Sequence, residues 1–375
     1  MEQVQFTAII LAFLLTLKLL MLPKRTVSNW AARRSRLMMV VGMVLLLVQF
    51  TLQFIFKFRT MGVTQAVMLN LIFFVPASWS FSLSVLYLQR RGNITPFDKY
   101  LGLAVWGIVL ALIIVASNID GKPLLSASRE MRWAEIIGSV CYASMHCYYL
   151  WREIRNLHVM REAMMNYFDF DVGYVLRWMD IGVIIIAAMA AVVPLLIFFT
   201  GIWLAIYAML IFIGIFYLAD SFCNFLLTAA FAKVQEAEQD EVIAEEGRLA
   251  AEGGEVTALS EEAALRVERA VERWKASGGH LKSGMKLPAA AEDMQLPRYL
   301  LSAWLKQWGK HYNDWLTDLR VDEAKRMLRE HPDWNNEAIA LHCGFADRSY
   351  FQKKFKERTG FSPAEYINSY LRIEN

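Results

Sequence analysis

Cysteine is scarce in this 375-residue chain. There are four, none in a C-x-x-C pair and none beside a set of other metal-ligating residues. That excludes the common zinc frameworks and leaves four free thiols as the expectation. Also missing are a glycine-rich phosphate loop, a nucleophile elbow, any metal-ligand spacing and the kinase motifs, so neither an enzyme nor a cofactor is expected. His311, His331 and His342 have no catalytic company and are read as packed or surface residues. The net charge is only +3, too little for a global basic field, so any attraction for a polyanion must be local.

What the chain has in excess is apolar sequence. Hydrophobic residues make up 56%, and they are segregated into the first two thirds, which predicts a membrane part followed by a soluble part. Seven stretches could each cross a bilayer as a helix: Phe6 to Leu22, Leu37 to Phe56, Val63 to Leu88, Tyr100 to Ser117, Trp133 to Leu150, Ile181 to Thr200 and Ile202 to Thr228. No basic residue precedes the first, Lys18 interrupts it and no cleavage site is clear, so it is expected as a retained span.

Loop charges then set the orientation. Lys24, Arg25, Arg33, Arg34, Arg36, Arg90, Arg91, Lys99, Arg152, Arg155, Arg161 and Arg177 fall on one side, against Lys57, Arg59, Lys122, Arg129 and Arg132 on the other. The positive-inside rule places the N-terminus outside and the C-terminus in the cytoplasm. The outer loops are too short for a sensor domain, so an input must be a small ligand in the bundle, a property of the bilayer or a partner membrane protein. Gln49, Gln53, Asn70, Glu135, His146, Asp180, Asp220 and Asn224 are the intramembrane candidates, with helix-to-helix bonding and snorkelling as the competing roles. No ligand is named by them.

Residues 229–262 are rich in Ala and Glu, with Gly253-Gly254 near their end. They read as an acidic, partly helical linker, able to act as a stalk or dimer contact or simply as a solvated spacer.

Beyond the linker the pattern changes. Cys343 to Tyr366 carries Gly344 where a short helix must stop, Phe345 to fold back on it and Asp347 to cap the next helix. That is a helix-turn-helix. On its second helix Phe351 and Phe355 share one side, with Ser349, Lys353 and Lys356 roughly opposite and Gln352 on the flank. Gly360 ends the helix, and Ser362-Pro363-Ala364-Glu365 forms a capping box. Lys353, Lys354, Lys356 and Arg358 would suit either a solvated face or a major groove. An internal repeat favours the groove. Tyr299, Leu300, Trp304, Gly309, Asp314 and Trp315 recur 51 residues later as Tyr350, Phe351, Phe355, Gly360, Glu365 and Tyr366. Two such motifs, about 286–309 and 336–359, are joined by a helical stretch from Asn313 to His331 and could enter major-groove turns about 34 Å apart.

From roughly Ser260 to Leu371 these residues resemble the AraC/XylS family of bacterial transcription regulators. The resemblance is most specific at Ile339-Ala340, Gly344-Phe345, Ser349-Tyr350-Phe351, Phe355-Lys356, Thr359-Gly360 and Pro363 to Tyr366. It implies a seven-helix unit that binds promoter DNA and works with the transcription machinery. Carried over by position, the base-reading face falls on Arg348, Ser349, Gln352 and Lys353, with Lys356 on phosphate. In the first motif it falls on Arg298, Leu301 and Ser302, where Lys306 is the main remaining long donor. That scarcity leaves open a first motif that positions more than it reads.

The expectation is therefore an all-α chain with three parts: a seven-span transmembrane bundle (1–228), the linker (229–262) and an AraC-type double helix-turn-helix domain (263–375). It would be a multi-pass protein of the bacterial cytoplasmic membrane. It would regulate transcription in response to an unidentified membrane-proximal signal, alone or as a homodimer. The competing expectations are a receptor or transporter whose tail is a protein-interaction module, and a membrane enzyme with a regulatory tail.

Overall fold

The computed structural model describes residues 2–23, 29–57, 63–90, 92–192, 202–228, 236 and 259–374. Among these residues there are fourteen α-helices, one short 3-10 helix and no strand. The chain divides into two compact units, Met1–His158 with Arg177–Phe231, and Val159–Leu176 with Ala232–Asn375.

The first unit is built from α1 (Glu2–Leu20), α2 (Trp30–Phe56), α3 (Val63–Gln89), α4 (Pro96–Asp120), most of α5 (Arg129–Met165), most of α6 (Val172–Val192) and α7 (Ile202–Leu227). Its surface chemistry is inverted. Phe13, Leu14, Ile114, Val115, Ile119, Met209 and Leu210 face outward, while Ser35, Gln49, Ser80, Ser84, Asp98 and Glu153 are buried. Some of these polar groups pair between helices. The Ser35 and Ser84 hydroxyls each donate to the other's backbone carbonyl, at 2.7 and 2.9 Å, tying α2 to α3. Asp98, in the capping box of α4, also accepts from Arg152 and Tyr148 of α5.

Four segments are long and apolar enough to cross a membrane: Trp30–Phe56, Thr64–Gln89, Pro96–Asp120 and Met209–Leu227. They coincide with four of the seven expected spans. The other three differ for separate reasons. The apolar part of α1, Gln5–Leu20, is shorter. Trp133–Leu150 lies inside the 37-residue α5, where polar and aromatic side chains dilute the apolar run. The sixth expected span begins in α6 and continues into residues 193–200, outside the described residues. So does almost all of the expected linker; its last residues include Ser260, whose side chain caps the following helix.

The second unit holds α8 (Glu261–Ala276), α9 (Leu287–Asp293), α10 (Arg298–Gln307), α11 (Tyr312–Glu330), α12 (Asn336–His342), α13 (Arg348–Thr359) and α14 (Pro363–Glu374). These are the seven helices that the resemblance implied. α11 is the spine. Its first half puts Tyr312, Trp315 and Leu316 into a core with α8, α9 and α10. Its second half puts Val321, Ala324, Met327 and Leu328 into another core with Ile339, Phe345, Phe351 and Phe355. Each helix-turn-helix thus has its own core, and one helix fixes their spacing.

Candidate nucleic-acid interface

α13 is positioned by its ends and its apolar side. The Asp347 side chain accepts from the Tyr350 N–H at 2.8 Å, and Gly360 closes the helix at φ +80°. Phe351 and Phe355 are fully buried, 5.6 Å apart between ring centres, and Phe355 meets Tyr366 at 5.4 Å. This anchoring turns Arg348, Ser349, Lys353 and Lys356 outward, with Gln352 half-buried beside them. The structure brings all five expected residues of the second motif onto one helix face.

The basic residues of α13 then separate by what they touch. Lys354 pairs with Glu357. Arg358 reaches across to Asp314 and Asp318 of α11, at 2.6 Å each, and holds α13 to the spine. Lys353 meets a carboxylate described below, whereas Arg348 and Lys356 form no salt bridge among the described residues, Lys356 having only the longer-range pull of Glu365. The four-lysine-and-arginine cluster of the sequence is therefore part bracing and part open donor.

The turn before α13 is tightly determined. Gly344 sits at φ +78°, and a Cβ there would lie 2.4 Å from the Leu281 carbonyl oxygen. The Phe345 N–H bonds the Ala340 carbonyl, and the Leu296 N–H bonds the Ala291 carbonyl in the first motif. Both helix pairs thus share one helix ending, with a buried apolar residue following it. The first motif lacks the side-chain cap that Asp347 provides, since Pro297 stands there.

On α10 the expected face is only partly realised. Arg298 and Ser302 are half-buried and Lys306 is exposed. Leu301 is fully buried, packed with Leu300, Leu305 and Leu316. It belongs to the core and not to an outward face, which corrects the positional carry-over: Leu301 shares the apolar side of the helix with Leu300 and Leu305.

What sequence reasoning missed is the segment Asn166–Asp171, which connects α5 to α6 and folds as part of this unit. Its backbone is bonded into the junction of the two motifs. The Tyr167 carbonyl accepts from the Leu287 N–H at 3.0 Å, and the carbonyls of Phe168 and Phe170 accept both protons of the buried Asn313 amide, at 2.9 and 3.0 Å. Asn313 Oδ1 in turn accepts from the Tyr350 hydroxyl at 3.1 Å. Asp169 receives the Met285 N–H at 2.9 Å and Arg320 Nη2 at 3.0 Å. Arg320, 1% exposed, gives two further N–H groups to the carbonyls of His280 and Lys282. Asn166 meets the His311 ring at 2.9 Å. Finally, Asp171 Oδ2 accepts from Lys353 Nζ at 2.8 Å on the outward face of α13.

Burial keeps the neighbouring titratable groups neutral: it pushes the Tyr350 hydroxyl and the Cys343 thiol each up to about 12. A sequence signal for the segment did exist. Arg320 occupies a position on α11 flanked by Leu316, Val321 and Ala324, and a buried guanidinium demands an anion from elsewhere.

The intramembrane candidates are not gathered into one site. Gln49 donates to Asn70 at 2.6 Å, while Lys18, Asp220 and Asn224 form a second group. His146 lines an apolar cavity together with Met43, Phe50, Phe81 and Trp178.

A family profile described as a helix-turn-helix domain matches residues 290–369. The same region is 32% identical over 88 residues to the regulatory protein PocR of Salmonella typhimurium, covering 23% of this chain and 29% of that protein. It is 34% identical over 87 residues to the transcriptional activator RhaS of Escherichia fergusonii, covering 23% and 31%. It is 38% identical over 94 residues to YobQ of Bacillus subtilis, an uncharacterised helix-turn-helix regulator, covering 24% and 37%. The similarity thus spans well under half of each relative. No solved structure matches the chain. The C-terminal region is a helix-turn-helix domain of the AraC/XylS type.

Proposed function

We propose that this chain is a membrane-held one-component regulator that reads promoter DNA through α13. The observation that carries the reading is the division of α13 itself: Phe351 and Phe355 buried on one side, with Arg348, Ser349, Gln352, Lys353 and Lys356 presented together on the other. Long donors on an exposed helix face are what the major groove accepts. Arg348, Ser349, Gln352 and Lys353 take the base edges and Lys356 takes phosphate. On α10, Arg298, Ser302 and Lys306 supply the weaker half, consistent with the loss of Leu301 to the core. The similarity to regulators such as RhaS supports the same reading.

Membrane anchoring rests on the outward apolar surface and the four long apolar segments. Seven spans, with the N-terminus outside and the domain in the cytoplasm, remain the arrangement that loop charges favour. The test is selection of duplexes from a random pool by the full-length protein in lipid nanodiscs. Lys353→Ala is expected to lose about 1–3 kcal/mol of specific binding, and Lys356→Ala to weaken all sequences equally and flatten the salt dependence. Affinity and base preference unchanged by Lys353→Ala would refute the assignment of the reading face.

A further inference from the structure

We propose that Asp171 is a releasable brake on the reading face of α13, and that the N-terminus of α6 is the lever that lifts it; this rests on the DNA-reading role proposed above. One carboxylate serves two helices. Asp171 Oδ1 accepts from the Gly173 N–H at 3.1 Å and so caps the first turn of α6, while Oδ2 holds Lys353 Nζ at 2.8 Å. The start of α6 and the reading helix are therefore joined through a single side chain.

The brake acts by charge. A carboxylate against Lys353 cancels the cation that would approach DNA and places a negative group where phosphates must come. Among the described residues it bridges to Lys353 alone on this face: Arg348 and Lys356 form no salt bridge, and Lys356 is only near enough to Glu365 to help lower its carboxyl.

The neighbouring contacts determine which link gives way. Two residues before Asp171, Asp169 is sealed against Arg320, and the flanking carbonyls of Phe168 and Phe170 are fixed by Asn313. Asp169, Arg320 and the Phe168 carbonyl bond are buried, whereas the Lys353 and Asp171 side chains are 47% and 24% exposed. Water replaces the outer contact at little cost and the inner ones at a high one. A shift of α6 is thus absorbed at Asp171, with the segment still docked, and the anchoring at Asp169 keeps slack out of the connection. Because the segment is the covalent bridge between α5 and α6, a rearrangement between those helices reaches Lys353 through only a few bonds.

The experiment uses full-length protein in nanodiscs and a duplex selected by the wild type, with binding read by anisotropy. Asp171→Asn removes the charge and keeps the cap, because asparagine caps a helix as well as aspartate does. It is expected to bind about 1.5- to fivefold tighter, on the order of an exposed ion pair converted to affinity. Asp171→Ser, which also caps, should show the same gain, separating charge from helix fraying. Asp171→Asn should gain less in a Lys353→Ala background than in the wild type, because only the repulsion of phosphate is then left to remove. If Lys353→Ala weakens binding but both Asp171 variants match the wild type or fall below it, there is no brake and the reading face stands. If Lys353→Ala leaves binding unchanged, the reading face is misassigned and the brake falls with it.

Discussion

Arg320 and Asp169 show how much a single buried charge can organise. Each is almost wholly enclosed, and their 3.0 Å bond joins α11 to a segment 151 positions earlier in the chain. Removing one partner leaves the other charge buried without compensation, a loss of about 3–5 kcal/mol. Asp169→Ala and Arg320→Ala should therefore each sharply lower the denaturant midpoint of the second unit, and the double variant should cost much less than the two losses added. Additive losses would mean the pair is not coupled. Asn313 should behave similarly on a smaller scale, since Asn313→Ala strands two carbonyls and leaves the Tyr350 hydroxyl with Thr317 alone. Individual residues were legible from sequence where local chemistry dictates them, as with Asp347, Gly344 and Gly360. They were not legible where the partner is distant: nothing in N-Y-F-D-F-D names Arg320, and only the oddity of an arginine on an apolar stripe hints that an anion is needed.

The same contrast holds for elements. Helix ends in the second unit follow from sequence because caps are local, and the repeat at an offset of 51 residues exposes two copies of one motif. The structure adds that the two glycines closing α12 and α13 are unequal. Gly344→Ala meets both a positive φ and the Leu281 carbonyl, while Gly360→Ala meets open space. The expected losses are about 1 kcal/mol at Gly360 and clearly more at Gly344; equal losses in thermal unfolding would contradict the close approach. Between α13 and α11, the carboxyl of Asp318 is raised by burial but lowered further by its bonds to Lys310 and Arg358, leaving it below the usual range. A depressed carboxylate stabilises the fold above its unfolded pKa and stops doing so as pH falls through the folded value. The stability of the unit should hold from neutral pH to the ordinary carboxylate range and decline on further acidification, and Asp318→Asn should reduce that decline. Element-level reading was weakest at α5, where polar residues interrupt an apolar run and hydropathy alone sets no boundary, and at Leu301, where position within a motif was outvoted by the need to fill a core.

For the whole molecule, the sequence separated an apolar part from a polar one without difficulty, because segregated composition needs no tertiary information. It did not show that residues 159–176 leave the first unit to complete the second. That interleaving places the proposed DNA reader and the proposed membrane part in one continuous path of chain, α5 to segment to α6, in addition to the linker. The central claim is that two helix-turn-helix motifs on one spine read a single promoter site. Hydroxyl-radical footprinting of a selected duplex by the full-length protein in nanodiscs tests it most directly. Two protected patches are expected on one face of the duplex, about 10 base pairs apart, with Lys353→Ala erasing one and sparing the other. A single patch, or two patches lost together, would contradict it.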